Sequence, residues 1–345
     1  MSTNPCPSER RALNLALQGG GSHGAFTWGV LDALLEDGRF DFPGISGTSA
    51  GAMNAVALAH GFASAALDQS LSPRQRHALG CERARKSLRT LWEGVGTLGY
   101  FTLGMSGNPL LGMMSQWLSP YQTNPLDINP LRMLLQRVVD FDQLHCADGL
   151  EGMPRVFVCA TNVRTGKGEI FSGQRLSTDA VMASACLPQL YKAVEVEGEY
   201  YWDGGFSGNP ALYPLIYETA CADVLLVQIN PVEQSSLPST AAEIAERVNE
   251  VTFNASLLGE LRAIDFVRRL LAEGKLDPKR YKSVLLHRID GGLALSEFGA
   301  ASKTRADLAF VLKLFELGRA QGQRWAQAHF ADVGVRQTLQ ILDHC

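Results

Sequence analysis

The chain has 345 residues, 46% hydrophobic and 19% charged, which is enough apolar material for a sizeable core and too little charge for a disordered protein. Its 31 basic and 35 acidic side chains leave a formal net charge of −4, which removes any overall electrostatic attraction to nucleic acid. Seven cysteines (Cys6, Cys81, Cys146, Cys159, Cys186, Cys221 and Cys345), odd in number and without a C-x-x-C pair, argue against a disulfide framework and a zinc site and fit a reducing, cytoplasmic setting.

Residues 1–11 are polar, carry Pro5 and Pro7 and lack the apolar core of a signal peptide, so a flexible arm is expected before a single domain over residues 12–345. Leu13-Asn14-Leu15-Ala16-Leu17 reads as a short buried strand entering a glycine loop, Gln18-Gly19-Gly20-Gly21-Ser22-His23-Gly24. Trp28, Leu31 and Leu35 follow at helical spacing, as do Val30 and Leu34, with Asp32 and Glu36 on another face. A second strand then ends in Gly47-Thr48-Ser49-Ala50-Gly51.

That pentapeptide has the G-x-S-x-G spacing of a nucleophile elbow, in which a strand turns sharply into a helix and holds the serine hydroxyl clear of the backbone. Gly47 and Gly51 flank Ser49 because side chains there would collide in so tight a turn. A helix starting at the serine also puts free N–H groups and the positive dipole end near the reacting centre. A small-residue turn with no chemistry fits the same five residues.

The glycine loop allows three readings. A dinucleotide fingerprint, Gly19-x-Gly21-x-x-Gly24, would want an acid ending the next strand, yet that strand ends in the serine elbow. A phosphate loop fails because no Gly-Lys-Ser/Thr follows. The third is an oxyanion hole, in which Gly19, Gly20 and Gly21 let backbone N–H groups approach a reacting carbonyl. A donor loop and a serine elbow on neighbouring parallel strands would converge on one point.

Residues 44–67 carry no Asp, Glu, Lys or Arg, but their glycine turns, Asn54 and His60 make a poor membrane span. Residues 63–89 are polar and helical in tendency, a solvent-facing connection. Residues 94–126 carry Leu110, Leu111, Met113, Met114, Trp117 and Leu118, broken by Gly104, Gly107, Pro109 and Pro120. They read either as a buried insertion or as an apolar cap or acyl-chain channel over the site. Residues 125–139 return to a helix, and Arg155-Val156-Phe157-Val158-Cys159-Ala160 is a strand, with another at 169–171. Residues 180–187 suit a short helix near the glycine loop. Residues 194–196 and 199–201 flank a hairpin turn at Glu197-Gly198 that delivers Trp202-Asp203-Gly204-Gly205. Asp203 is either a turn aspartate or a carboxylate placed to take the proton of Ser49. Residues 222–229 and 283–289 are further core strands, and residues 241–273 and 302–330 are helical, so the part from 240 onward is mainly helical.

With Gly19-Gly20-Gly21-Ser22-His23-Gly24, Gly47-Thr48-Ser49-Ala50-Gly51 and Asp203-Gly204-Gly205 in this order, the chain resembles the patatin-like phospholipases. The similarity extends to Ala160-Thr161-Asn162, Thr165-Gly166, Ala183-Ser184-Ala185-Cys186-Leu187-Pro188 and Asn209-Pro210, covering roughly residues 13–229. It implies a three-layer α/β/α fold with a central, mostly parallel sheet and a helical C-terminal layer. It also implies a lipid acyl hydrolase of phospholipase A or lysophospholipase type, with Ser49 as nucleophile, Asp203 as general base and Gly19, Gly20 and Gly21 as the oxyanion loop. The substrate implied is a lipid or fatty-acyl ester, met in transient contact with a membrane surface, with no cofactor, metal or nucleic acid. The family usually has Arg or Lys where this chain has His23, so a permanent cation becomes a group that can be neutral at pH 7. Three rivals stay open: an α/β-hydrolase triad drawing on His287, His329 or His344, an acyltransferase on the same serine, and a non-catalytic lipid-binding protein.

Overall fold

The structure, a computed structural model, describes residues 10–103, 119–124, 128–234, 237–298 and 300–340. Its centre is a sheet of eight strands: β1 (Asn14–Leu17), β2 (Gly44–Gly47), β3 (Arg155–Asn162), β4 (Gly168–Phe171), β5 (Val194–Val196), β6 (Glu199–Asp203), β7 (Asp223–Gln228) and β8 (Leu285–Asp290). Hydrogen-bonded pairing runs along the path β8-β7-β1-β2-β3-β6-β5, with β4 also paired to β3 off that path. From β8 to β3 the pairs are parallel, and β4, β5 and β6 pair antiparallel. The fold is thus mixed α/β with a mostly parallel central sheet.

Parallel strands are covered on both faces, and here alternation along each strand sorts its side chains between two cores. Leu15 and Leu17 of β1, with Leu225 and Val227 of β7, face one side. There they meet α1 (Gly24–Asp37), α2 (Ala50–Ala66), α3 (Pro73–Leu103), and a C-terminal helix at Leu308–His329. Ala16, Val224 and Leu226 face the other side, against Leu212 and Leu215 near a short helix at Tyr213–Glu218 and against Leu257, Leu261 and Ile264 of a long helix at Ala241–Ala272. We label these three helices, in chain order, α5, α6 and α7, leaving α4 for Thr178–Ser184; the short helices at Pro120–Thr123, Pro130–Val138, Phe141–Ala147 and Gly292–Ser296 are unlabelled. In this numbering Tyr213–Glu218 is α5, Ala241–Ala272 is α6 and Leu308–His329 is α7.

Two expectations change. The stretch at 63–89 is no solvent-facing connection: α2 runs through Ala66 and α3 then buries Cys81, Ala84, Leu88, Leu91 and Trp92. Those positions form a helical stripe that the intervening Arg, Glu and Lys residues disguise. Arg85 on α3 also reaches Asp32 at 2.8 Å, and Arg319 on α7 pairs with Asp32 and Glu36, so the acidic face of α1 is a charged seam between helices. Residues 94–103 continue α3, while 104–118 and 125–127, which carry most of the expected apolar cap, lie outside the described residues. At the start of the chain, Arg11–Ala12 pairs with Phe40–Asp41 and is not part of a loose arm.

Candidate active site

β2 ends at Gly47, and Thr48 and Ser49 turn the chain into α2. Ser49 has φ 56° and ψ −121°, a region that a β-carbon disfavours and that persists only where the surroundings impose it. The surroundings do so from three sides. Thr48 donates its N–H to Leu17 O and its hydroxyl to Gly208 O at 2.6 Å. The Ser49 N–H donates to Ser184 Oγ, at the end of α4, at 2.9 Å. Gly51 lies against β1 so closely that a β-carbon would sit 2.1 Å from Leu17 O, which lets α2 start directly above the strand ends. Gly47 in turn lies against Gly51, and Gly24 against Ala50 and Trp92.

Register explains how Asp203 arrives here. Ala160 and Thr161 of β3 pair with both β4 and β6, so those two strands lie on opposite edges of β3. Val158 pairs with both Phe171 of β4 and Gly47 of β2, which puts β2 on the edge occupied by β6. β2 and β6 therefore meet end to end, with Gly47 opposite Val158 and Asp203 opposite Ala160. The main chain of Asp203 is fixed at both ends: its N–H donates to Cys186 O at 2.7 Å, and its carbonyl accepts from Thr161 Oγ1 at 2.8 Å. The Gly204 backbone rests on the Cys159 carbonyl and Gly205 on the Phe253 ring of α6.

The carboxyl of Asp203 is fully buried. Oδ1 accepts the Gly205 N–H at 2.7 Å, whereas Oδ2 has no hydrogen-bond partner. Burial pushes its pKa up to about 7, and the Gly205 N–H and the neighbouring Ser49 hydroxyl hold it from rising further. The hydroxyl and the carboxyl are thus neighbours that interact without a formed hydrogen bond. Such looseness is common in unliganded sites.

The three loop glycines do not play equal parts. Gly19 packs on the elbow, where a β-carbon would come within 2.8 Å of Ser49 Cβ, but its N–H is already donated to Asn209 Oδ1 at 2.7 Å. A buried amide oxygen thus occupies the first of the three loop N–H groups expected to line an oxyanion hole. The N–H groups of Gly20 and Gly21 have no acceptor among the described residues. His23 is buried beside Ser302 Oγ, 2.7 Å from Nε2, and burial together with nearby Lys303 lowers its pKa to about 4. It is a neutral brace between the loop and the turn at Ala300–Thr304.

The other candidate histidines are engaged elsewhere. His287 is fully buried with Nε2 3.0 Å from Asp223 Oδ1 and Nδ1 3.1 Å from Thr338, and His329 pairs with Asp332. His344 lies outside the described residues. Among the described residues no group of three or more His, Cys, Asp or Glu side chains is placed to hold a metal ion. A cavity of about 490 Å³ opens at the opposite end of the parallel strands, beside Pro43 and Arg155. Its Arg10, Arg76 and Arg155 are each paired with a carboxylate, and it lies away from the strand ends where such sheets carry their chemistry.

Sequence reasoning did not single out Ser184, Asn209 or Asn230 as parts of this site. Only the resemblance touched Ser184 and Asn209; a lone Ser or Asn has no pattern of its own until the fold brings it to the loop. A family model described as Patatin-like phospholipase matches residues 15–216. Among solved structures the chain is similar to VipD from Legionella pneumophila, at 16% identity and a TM-score of 0.37, over 94% of this chain and 68% of that one. No curated protein matches the chain.

Proposed function

The chain belongs to the patatin-like phospholipase family and is a lipid ester hydrolase, and on that premise we propose that it works through Ser49 and Asp203 alone, by an acyl-enzyme. The observation that carries this reading is the buried Asp203 carboxyl beside a serine held at φ 56°, with one oxygen left unpartnered. An ordinary carboxylate is a weak base for an alcohol, but a pKa near 7 matches a base that works at neutral pH.

Asp203 Oδ2 takes the hydroxyl proton as Ser49 Oγ bonds to the ester carbonyl carbon. The carbonyl oxygen becomes an oxyanion, for which Gly20 and Gly21 supply N–H donors and the start of α2 a favourable dipole. Collapse breaks the bond to the alcohol, which leaves with the proton held by Asp203. Water then gives a proton to Asp203 as its oxygen bonds to the acyl carbon, and collapse breaks the bond to Ser49 Oγ, which takes that proton back from Asp203 as the carboxylic acid leaves. The ester bonds proposed are those of phospholipids or lysophospholipids. Among the described residues no helix is long and apolar enough to cross a membrane, and the proposed encounter with lipid is at the bilayer surface.

The test is incubation with phospholipids, lysophospholipids and neutral esters, with products identified by mass. Ser49→Ala and Asp203→Asn are each expected to lose at least 10³-fold in turnover, as roughly expected for removing a nucleophile or its base. Turnover by Ser49→Ala equal to that of the unaltered chain removes the serine from the mechanism.

A further inference from the structure

A loop built from three glycines has little torsional preference, so the direction of its N–H groups must be set from outside. Here the outside is a buried amide network centred on Gly19. Asn209 Oδ1 accepts the Gly19 N–H at 2.7 Å, and Asn230 Nδ2 donates to Gly19 O at 2.6 Å, with Asn209 Nδ2 3.4 Å from the same oxygen. Asn230 follows β7 and is itself held from two elements. Gln18 Oε1 accepts the N–H groups of Ile229 and Asn230, both at 2.8 Å. Gln18 Nε2 donates to Asn254 Oδ1 of α6 at 2.9 Å, and Asn254 Nδ2 donates to Pro231 O at 2.9 Å. The four amides are all buried. Each has its oxygen and nitrogen assigned by fixed backbone partners, so the network has one satisfied arrangement.

Planarity turns this into a statement about chemistry. In a trans peptide the carbonyl oxygen of one residue and the N–H of the next point in opposite directions. A donor gripping Gly19 O therefore aims the Gly20 N–H the other way, and flipping that peptide would break the bond to Asn230. We propose that Asn230 is a positioning residue for ester hydrolysis, holding the peptide between Gly19 and Gly20 so that the Gly20 N–H faces the oxyanion formed at Ser49. The inference rests on the acyl-enzyme reading above. It also gives the segment beyond residue 216, outside the family match, a part in the reaction: Asn230 directly, and Asn254 by supporting it.

The experiment uses the full chain and p-nitrophenyl butyrate. Asn230→Ala and the near-isosteric Asn230→Asp, both lacking the amide donor, are expected to lose roughly 10–100-fold in kcat, with KM within about threefold, because an oxyanion donor acts in the transition state. Asn254→Leu, acting only through the support of Asn230, is expected to give a smaller loss in kcat alone. A folded Asn230→Ala with undiminished kcat, beside an inactive Ser49→Ala, overturns the positioning role and leaves the hydrolase reading standing. Full activity in Ser49→Ala overturns both. Should the Asn230 variants fail to fold, the crystal structure of the unaltered chain phosphonylated on Ser49 decides. A phosphonyl oxygen within hydrogen-bond reach of Gly20 N, with Asn230 still on Gly19 O, supports the assignment, and an oxygen that does not reach Gly20 N overturns it.

Discussion

A carboxyl sealed from water next to an alcohol makes opposite demands on stability and on chemistry, and Asp203 shows both. As the proposed base it works only when ionised, so kcat/KM is expected to climb about tenfold per pH unit below 7 and to level off above it. Asp203→Asn should abolish that ascending limb along with the activity. In the folded chain the group titrates near 7, and in the unfolded chain near its ordinary 3.8, so the unfolded state gives up this proton first as pH rises. The fold therefore loses stability from about pH 4 to pH 7, and the whole penalty, up to about 4 kcal/mol, is present above 7. Asp203→Asn is expected to raise Tm by several degrees at pH 8 and to match the unaltered chain near pH 4. Equal Tm values at both pH values would mean that the carboxyl is not held at this cost. Ser49 and Asp203 were legible as candidates because each sits in a short glycine motif whose local geometry the residues themselves impose. Asn209, Asn230 and Ser184 were not, since their partners lie on strands and loops far away in the chain.

Among the elements, the junction of β1 with α2 carries the tightest packing at the site. Gly51→Ala would push a methyl group to 2.1 Å from Leu17 O, and backbone, unlike a flexible side-chain end, cannot step aside. The expected result is a loss of roughly 3 kcal/mol or more by denaturant titration, or no folded protein at all. A stable, active Gly51→Ala would show that α2 can lift from the strand. The strands were legible from apolar runs and the hairpin from its Glu197-Gly198 turn, where both residues have positive φ. The role of α3 was not: its buried stripe of Ala84, Leu88, Leu91 and Trp92 is diluted by charged neighbours, one of which, Arg85, does its work on Asp32. Asp32 and Glu36, read as a polar face, are the acidic half of that seam.

At the scale of the whole molecule, β8 pairs with β7, and α7 covers α1, so the mainly helical C-terminal part contributes both a strand and a layer. We propose that residues 12–345 form one folding unit. Thermal or urea unfolding is expected to show a single transition common to all probes, and a chain ending at residue 240 is expected to show no cooperative transition. Two separate transitions, or a folded truncated chain, would divide the unit. The three-layer arrangement was implied by the resemblance to the patatin-like phospholipases, but not how far the C-terminal part reaches toward the candidate site, because His23 and Ser302 meet only in the folded chain. That reach has a consequence for synthesis. A ribosome delivers the proposed nucleophile, Ser49, first and the proposed base, Asp203, much later, yet Asn254 and the turn bracing His23 emerge later still. A nascent chain would carry both reacting groups without a completed cradle for the oxyanion. On that proposal, lipid cleavage would begin only once the turn at residues 300–304 has left the ribosome, sparing the bilayer from shorter nascent chains.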